Sequence, residues 1–319
     1  MKRTTRLLLA ASALGAGAAY LGYRAQLAGA RDSARRGGWL IDTDMGPIEY
    51  AEAGAGAPLL VIHGAGGGFD QGLALAAEFA PDGFRVIAPS RFGYLGTPVP
   101  EDPSPAAQAD AHAALLMRLD VEKAAVVGVS AGARSAVELA IRRPDRVAAL
   151  VLIVPATYSP TSPARVDSSR GGEMAFRIVG TGGDFAWWGL EKLAPSVLVR
   201  FVGVPPELLA SAPRSERERV MSLVRSVEPL SLKVKGLALD GAPPSREPPF
   251  SAIRAPTLIV SARDDLYTTL PAAEFAASRI PAAKLVVYET GGHLLVGRMG
   301  HVREAIRDFL ASARPQGLS

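Results

Sequence analysis

The sequence predicts an α/β fold: a mostly parallel sheet flanked by helices and interrupted by an inserted helical cap. Three observations carry this. From about Gly38 onward, short and continuously apolar runs alternate with helical stretches, the pattern of strands covered on both faces. The alternation stops after Val154 and resumes at Thr257. The insertion, from Pro155 to about Pro249, is about 95 residues, too long for a plain loop in a compact domain. Finally, Gly128-Val129-Ser130-Ala131-Gly132 joins an apolar strand to a helix, so a serine sits on a sharp strand-to-helix turn.

Each element follows from its local pattern. Trp39–Thr43 and Ile48–Glu52 read as an opening hairpin around Met45-Gly46-Pro47. Pro58–Ile62 is an apolar strand ending at His63-Gly64, Leu73–Phe79 a helix and Arg85–Ala88 a strand. Ala106–Leu119 is a helix, Ala124–Val127 a buried strand, and Ala131–Arg143 a helix stopped by Pro144. Val147–Val154 is uniformly apolar and β-branched enough for a central strand. The insertion is rich in Pro, Ser and Gly. Within it, Ser215 with Glu218 is a capping-box signature opening a helix that Pro229 ends. Thr257–Val260 and Leu285–Tyr288 then read as strands, Ala272–Ser278 and Val302–Leu310 as helices. The expected organisation is an N-terminal segment (1–37), an α/β core (38–155 and 251–319) and a cap (156–250). The expected cap is mobile, with Trp187 and Trp188 contributing to an apolar lining over Ser130.

Charge is uneven. Residues 1–36 hold seven Lys/Arg and one acid, and taking that +6 from the chain's +4 leaves −2 for the rest. The basic pI near 9.5 therefore belongs to the N-terminal arm, and the near-neutral body gives no footprint for nucleic acid. There is no cysteine, which excludes disulfides, thiol nucleophiles and thiolate metal sites. Of the four histidines, none falls in a metal-binding helical pair.

Lys2, Arg3 and Arg6 precede an uncharged stretch from Leu7 to Tyr23. Such a start suits a membrane anchor, or a signal peptide cleaved near Ala28-Gly29-Ala30. Its length of about 25 Å is slightly short of a hydrocarbon core of about 30 Å. Membrane association through residues 7–23, or export, is the expectation, with a cytoplasmic protein as the alternative.

A serine hydroxyl needs a histidine to take its proton and a carboxylate to orient that histidine. His293 is the best base, because it follows Gly291-Gly292 directly after the last predicted strand. His112 lies within a predicted helix and reads as packing or surface. His301 opens the last helix, and His63, at a strand end before a glycine run, suits structural hydrogen bonding. Asp264 and Asp265 both follow the strand ending at Val260, so either can orient the base. A tetrahedral oxyanion also needs backbone donors. The Ala131 amide is one, and the glycine-rich loop His63 to Gly68 supplies a second at Ala65. That loop lacks the Gly-Lys-Ser/Thr of a phosphate cradle.

Taken in order, the His63-Gly64 loop, Gly128-Val129-Ser130-Ala131-Gly132, a late Asp and Gly292-His293 resemble the α/β-hydrolase superfamily, over about residues 38–312. The resemblance implies a Ser–Asp–His chain order. The family's acid-to-base spacing of just under thirty residues favours Asp265, 28 residues before His293. The segment Arg142 to Val147 is similar to its counterpart in esterases, lipases and carbon–carbon bond hydrolases. Ala131 departs from the family, which often carries a bulky residue there. The implied activity is cofactor-independent hydrolysis of a small-molecule ester or related acyl bond. A carbon–carbon bond hydrolase, an aminopeptidase, or a non-catalytic binding protein on the same fold are the alternatives.

Overall fold

A computed structural model describes residues 3–161, 183–242 and 244–313. Lys2 of the basic start and residues 162–182 of the expected cap lie outside them.

Helix α1 (Arg3–Arg35) comes first, then strands β1 (Trp39–Thr43), β2 (Gly46–Ala53) and β3 (Ala57–Ile62). Helix α2 (Phe69–Phe79), β4 (Phe84–Pro89), α3 (Pro105–Arg118), β5 (Ala124–Val129), α4 (Ala133–Arg142) and β6 (Val147–Ile153) follow. The described part of the insertion holds α5 (Asp184–Leu193), α6 (Pro195–Phe201), α7 (Pro206–Ser211), α8 (Arg214–Ser226) and α9 (Val234–Asp240). The core resumes with β7 (Thr257–Ala262), α10 (Leu270–Arg279), β8 (Lys284–Tyr288) and α11 (Met299–Ala313).

The eight strands form one sheet in the order β1-β2-β4-β3-β5-β6-β7-β8. Pairings from β4 through β8 are parallel, and only the β1–β2 and β2–β4 pairs are antiparallel. Every residue of β5, β6 and β7 is buried, which is why these runs are apolar save for Thr257 and Ser261 of β7. The two-residue period shows in β3. Leu60 and Ile62 join the core under α3 and α4, while Leu59 and Val61 join the opposite core under α2 and α11. At the first hairpin, Thr43 Oγ1 donates to the Gly46 carbonyl and accepts from Met45 N–H.

Two local readings change. Helix α8 starts at Arg214 after Pro213, so Ser215 lies inside it and caps nothing. Glu218 pairs instead with Arg214, at 2.7 Å and one turn apart. Trp187 is fully buried and packs edge-on against Phe201 inside the insertion's own core, so it lines no substrate space. Trp188 meets Phe185 and Tyr23, at the contact with α1.

Among the described residues no helix is long and apolar enough to cross a membrane. The proposed cleavage site Ala28-Gly29-Ala30 lies within α1. The second half of that helix docks on the insertion. Leu27 and Ala34 are buried, Gln26 Nε2 donates to both Glu191 and Glu228 at 2.8 Å, and Arg31 faces Asp184.

His112 on α3 is a packing residue. It is wholly buried, with Nε2 beside Ser135 Oγ at 3.2 Å. Burial, with the Arg91 charge adding to it, lowers its pKa to about 3. Its unfolded value is near 6.5, so between these limits the unfolded chain binds the extra proton and stability falls as pH falls. His112→Gln is therefore expected to flatten the acid limb of stability between pH 6.5 and 3. Urea unfolding of both proteins at pH 7 and pH 4.5 checks this; equal losses in the two would refute it.

Candidate active site

Ser130 sits immediately after β5 with a φ of 50°, left-handed backbone that a non-glycine residue adopts only when its surroundings hold it there. The flanking glycines allow the turn. A Cβ on Gly128 would stand 2.6 Å from Ala136 Cβ, and one on Gly132 would stand 2.4 Å from the His63 carbonyl oxygen. The strand, the helix and the loop after β3 therefore converge at the serine.

His293 comes from the loop after β8. Its Nε2 lies 2.8 Å from Ser130 Oγ, and its Nδ1 lies 2.9 Å from Asp265 Oδ2. A carboxylate accepts only. Nδ1 therefore carries the hydrogen toward Asp265, and Nε2 presents its lone pair to the serine hydroxyl. Asp265 is buried and held by two further donors, Tyr267 N–H at 2.8 Å and the Thr269 hydroxyl. Asp264 has a different place: its Oδ1 accepts from Gly292 N–H at 2.7 Å, fixing the turn that carries the base. Of the two candidate acids, the structure brings Asp265 to His293.

The remaining histidines are accounted for. His63 Nε2 accepts from Arg91 N–H at 3.0 Å, so its Nδ1 carries the hydrogen and donates to the Gly64 carbonyl at 2.7 Å. Burial, with the nearby Arg91, holds its pKa well below the ordinary value, and it stays neutral. His301 is exposed on α11. The Gly64 backbone abuts the serine, since a Cβ there would lie 3.2 Å from Ser130 Cβ. Ala65 is exposed next to it and Ala131 buried. A cavity of about 490 Å³ opens beside the elbow, with Phe92, Ala131, Arg134, Tyr158 and Leu239 among its walls.

Gly203 carries no local signal in the sequence. This insertion residue, with a φ of 77°, accepts from both His293 N–H and Leu266 N–H through its carbonyl. A Cβ there would stand 2.5 Å from His293 Cβ and 2.6 Å from the Tyr267 ring. The Tyr267 ring in turn packs edge-on against the imidazole, at 4.6 Å. Thus the insertion backs the base directly. Gly203→Ala is expected to displace His293 and to lower kcat at least tenfold. Comparing kcat with the melting temperature checks it; unchanged kcat would show that the loop absorbs the methyl group.

Comparison with known proteins adds to this geometry. A family model described as alpha/beta hydrolase fold matches residues 57–172, and one described as TAP-like protein matches residues 238–317. The chain is 30% identical over 245 residues to a putative carbamate hydrolase, RutD, of Klebsiella pneumoniae (strain 342), covering 75% of this chain and 85% of that protein. It is 31% identical over 242 residues to the pimeloyl-[acyl-carrier protein] methyl ester esterase of Aromatoleum aromaticum, covering 74% and 90%. Among solved structures, an alpha/beta hydrolase fold protein from Nakamurella multipartita is similar, with a TM-score of 0.68, 28% identity, and 87% and 100% of the two chains covered. A mostly parallel eight-stranded sheet, a serine on its strained turn and relatives across three quarters of the length agree: the chain is an enzyme, a hydrolase belonging to the α/β-hydrolase superfamily.

Proposed function

We propose that this hydrolase cleaves an ester or related acyl bond through a covalent acyl-enzyme, with no cofactor. The observation that carries the reading is the continuous relay Ser130 Oγ, His293 Nε2, His293 Nδ1 and Asp265 Oδ2, with contacts of 2.8 and 2.9 Å. Ser130 Oγ attacks the carbonyl carbon while its proton passes to His293 Nε2. Asp265 remains ionised and stabilises the imidazolium. The amides of Ala65 and Ala131 receive the charge that builds on the carbonyl oxygen. The imidazolium then protonates the leaving alkoxide, and the acyl group stays on Ser130. Water attacks the acyl carbon, losing a proton to His293, and collapse of the second tetrahedral species returns that proton to Ser130 and frees the acid. Two relatives support acyl chemistry, since an ester and a carbamate both place a heteroatom leaving group on a carbonyl.

The test is a panel of acyl esters of increasing chain length, with amides and diketones. Ester turnover with a burst of alcohol release is expected. Diketone cleavage without ester turnover would move the reading to carbon–carbon hydrolysis. Retention of the ligand without turnover would favour a binding protein.

A further inference from the structure

The geometry points to Arg91 and Asp240 as positioning residues for the oxyanion donor Ala65, so that the insertion takes part in assembling the oxyanion hole. This rests on the serine-hydrolase reading above.

The Gly64 carbonyl and the Ala65 N–H belong to one peptide unit, and in a trans peptide they point in opposite directions. Two donors hold the Gly64 oxygen: His63 Nδ1 at 2.7 Å and Arg91 Nη2 at 3.1 Å. Arg91 Nε also donates to the His63 carbonyl at 3.0 Å. Further along the loop, Tyr94 Oη accepts from Gly66 N–H at 3.2 Å. The loop from 63 to 66 is therefore pinned at three backbone groups from the Arg91 side. The Ala65 N–H faces away from that side, and among the described residues it donates to no protein acceptor.

Arg91 is buried and charged, and what lets it stay there is Asp240, the last residue of α9 in the insertion. The pair is bidentate, Nη1 to Oδ1 at 2.8 Å and Nη2 to Oδ2 at 2.5 Å, and the Tyr94 hydroxyl donates to the same Oδ2 at 2.5 Å. Removing one partner of such a buried pair leaves an uncompensated charge. Helix α9 is held closely to the core at this point. Gly236 N–H donates to the Gly93 carbonyl at 3.0 Å, and a Cβ on Gly236 would stand 2.2 Å from the Tyr94 ring. A displacement of α9 therefore moves Asp240, then Arg91, then the Gly64–Ala65 peptide. Neither Arg91 nor Asp240 hydrogen-bonds to Ser130, His293 or Asp265, so their effect reaches the site through the Gly64–Ala65 peptide.

Asp240→Asn keeps the shape and removes the charge. It is expected to lower kcat about 10- to 100-fold, the scale of a misplaced catalytic group, with KM for a good ester within about twofold. Affinity for a trifluoromethyl ketone, which forms the tetrahedral adduct on Ser130, should fall by the same factor as kcat/KM. Binding of the product acid should not. Tyr94→Phe removes the Gly66 acceptor but keeps the Arg91–Asp240 pair, and should give the same signature at smaller size; it carries the test if Asp240→Asn does not fold. A raised KM and lowered melting temperature with unchanged kcat would make these residues a mere strut and overturn the inference alone. Wild-type protein without ester turnover would overturn the acyl-enzyme reading beneath it as well.

Discussion

Ser130→Ala is expected to lower kcat for ester hydrolysis by about 10⁶-fold, the scale seen when a serine nucleophile is removed from a triad, while the protein folds as before. The change deletes one hydroxyl from a turn whose geometry is set by Gly128, Gly132 and the backbone bond from Ala156 N–H to the Ser130 carbonyl. Alanine at a φ of 50° carries the same strain as serine, so the melting temperature should hold. Ser130→Gly should be equally inactive and somewhat more stable, because left-handed backbone costs a non-glycine residue roughly 1 kcal/mol. A fluorophosphonate should label the wild type at Ser130 and neither variant. Persistent labelling of Ser130→Ala would place the nucleophile elsewhere.

Asp265→Asn comes next, with a loss of about 10⁴ in kcat. All the groups around Asp265 are donors: His293 Nδ1 and the Thr269 hydroxyl at Oδ2, and Tyr267 N–H at Oδ1. An asparagine amide must turn its NH₂ toward one of them. Toward His293 it favours the tautomer with hydrogen on Nε2, which can no longer accept from Ser130. Toward Tyr267 it opposes a buried N–H and loosens the acid's seat. Asp264→Asn should cost less than tenfold, because an amide carbonyl still accepts from Gly292 N–H. Steady-state kcat for the two variants decides the matter, and the reverse ranking would make Asp264 the orienting acid.

The parts of the site legible in the sequence share one property. Ser130, the Asp264-Asp265 pair and His293 each follow a continuous apolar strand, so their position at one edge of the sheet can be read from local pattern and chain order. What was not legible depends on two distant segments meeting. Gly203 looks like any glycine in a Pro- and Gly-rich stretch until its carbonyl is seen to accept from His293 N–H. Asp240 looks like a helix-end carboxylate until Arg91 lies against it. Choosing between the two acids needed a family spacing, because neighbouring residues after one strand are locally equivalent. The Ser215 signature misled for a local reason: Pro213 takes the cap position two residues earlier. The tryptophan pair misled for a tertiary one, because the insertion has a core of its own and Trp187 fills it.

The docking of α1 has a consequence for how the molecule is made. Gln26 and its partner Glu191 are 165 residues apart in the chain. At a synthesis rate of about 5–20 residues per second, the helix waits roughly 8–30 s before its seat exists. The seat is nevertheless synthesised ahead of β7 and β8, so α1 can dock on the insertion before the last two strands of the sheet exist.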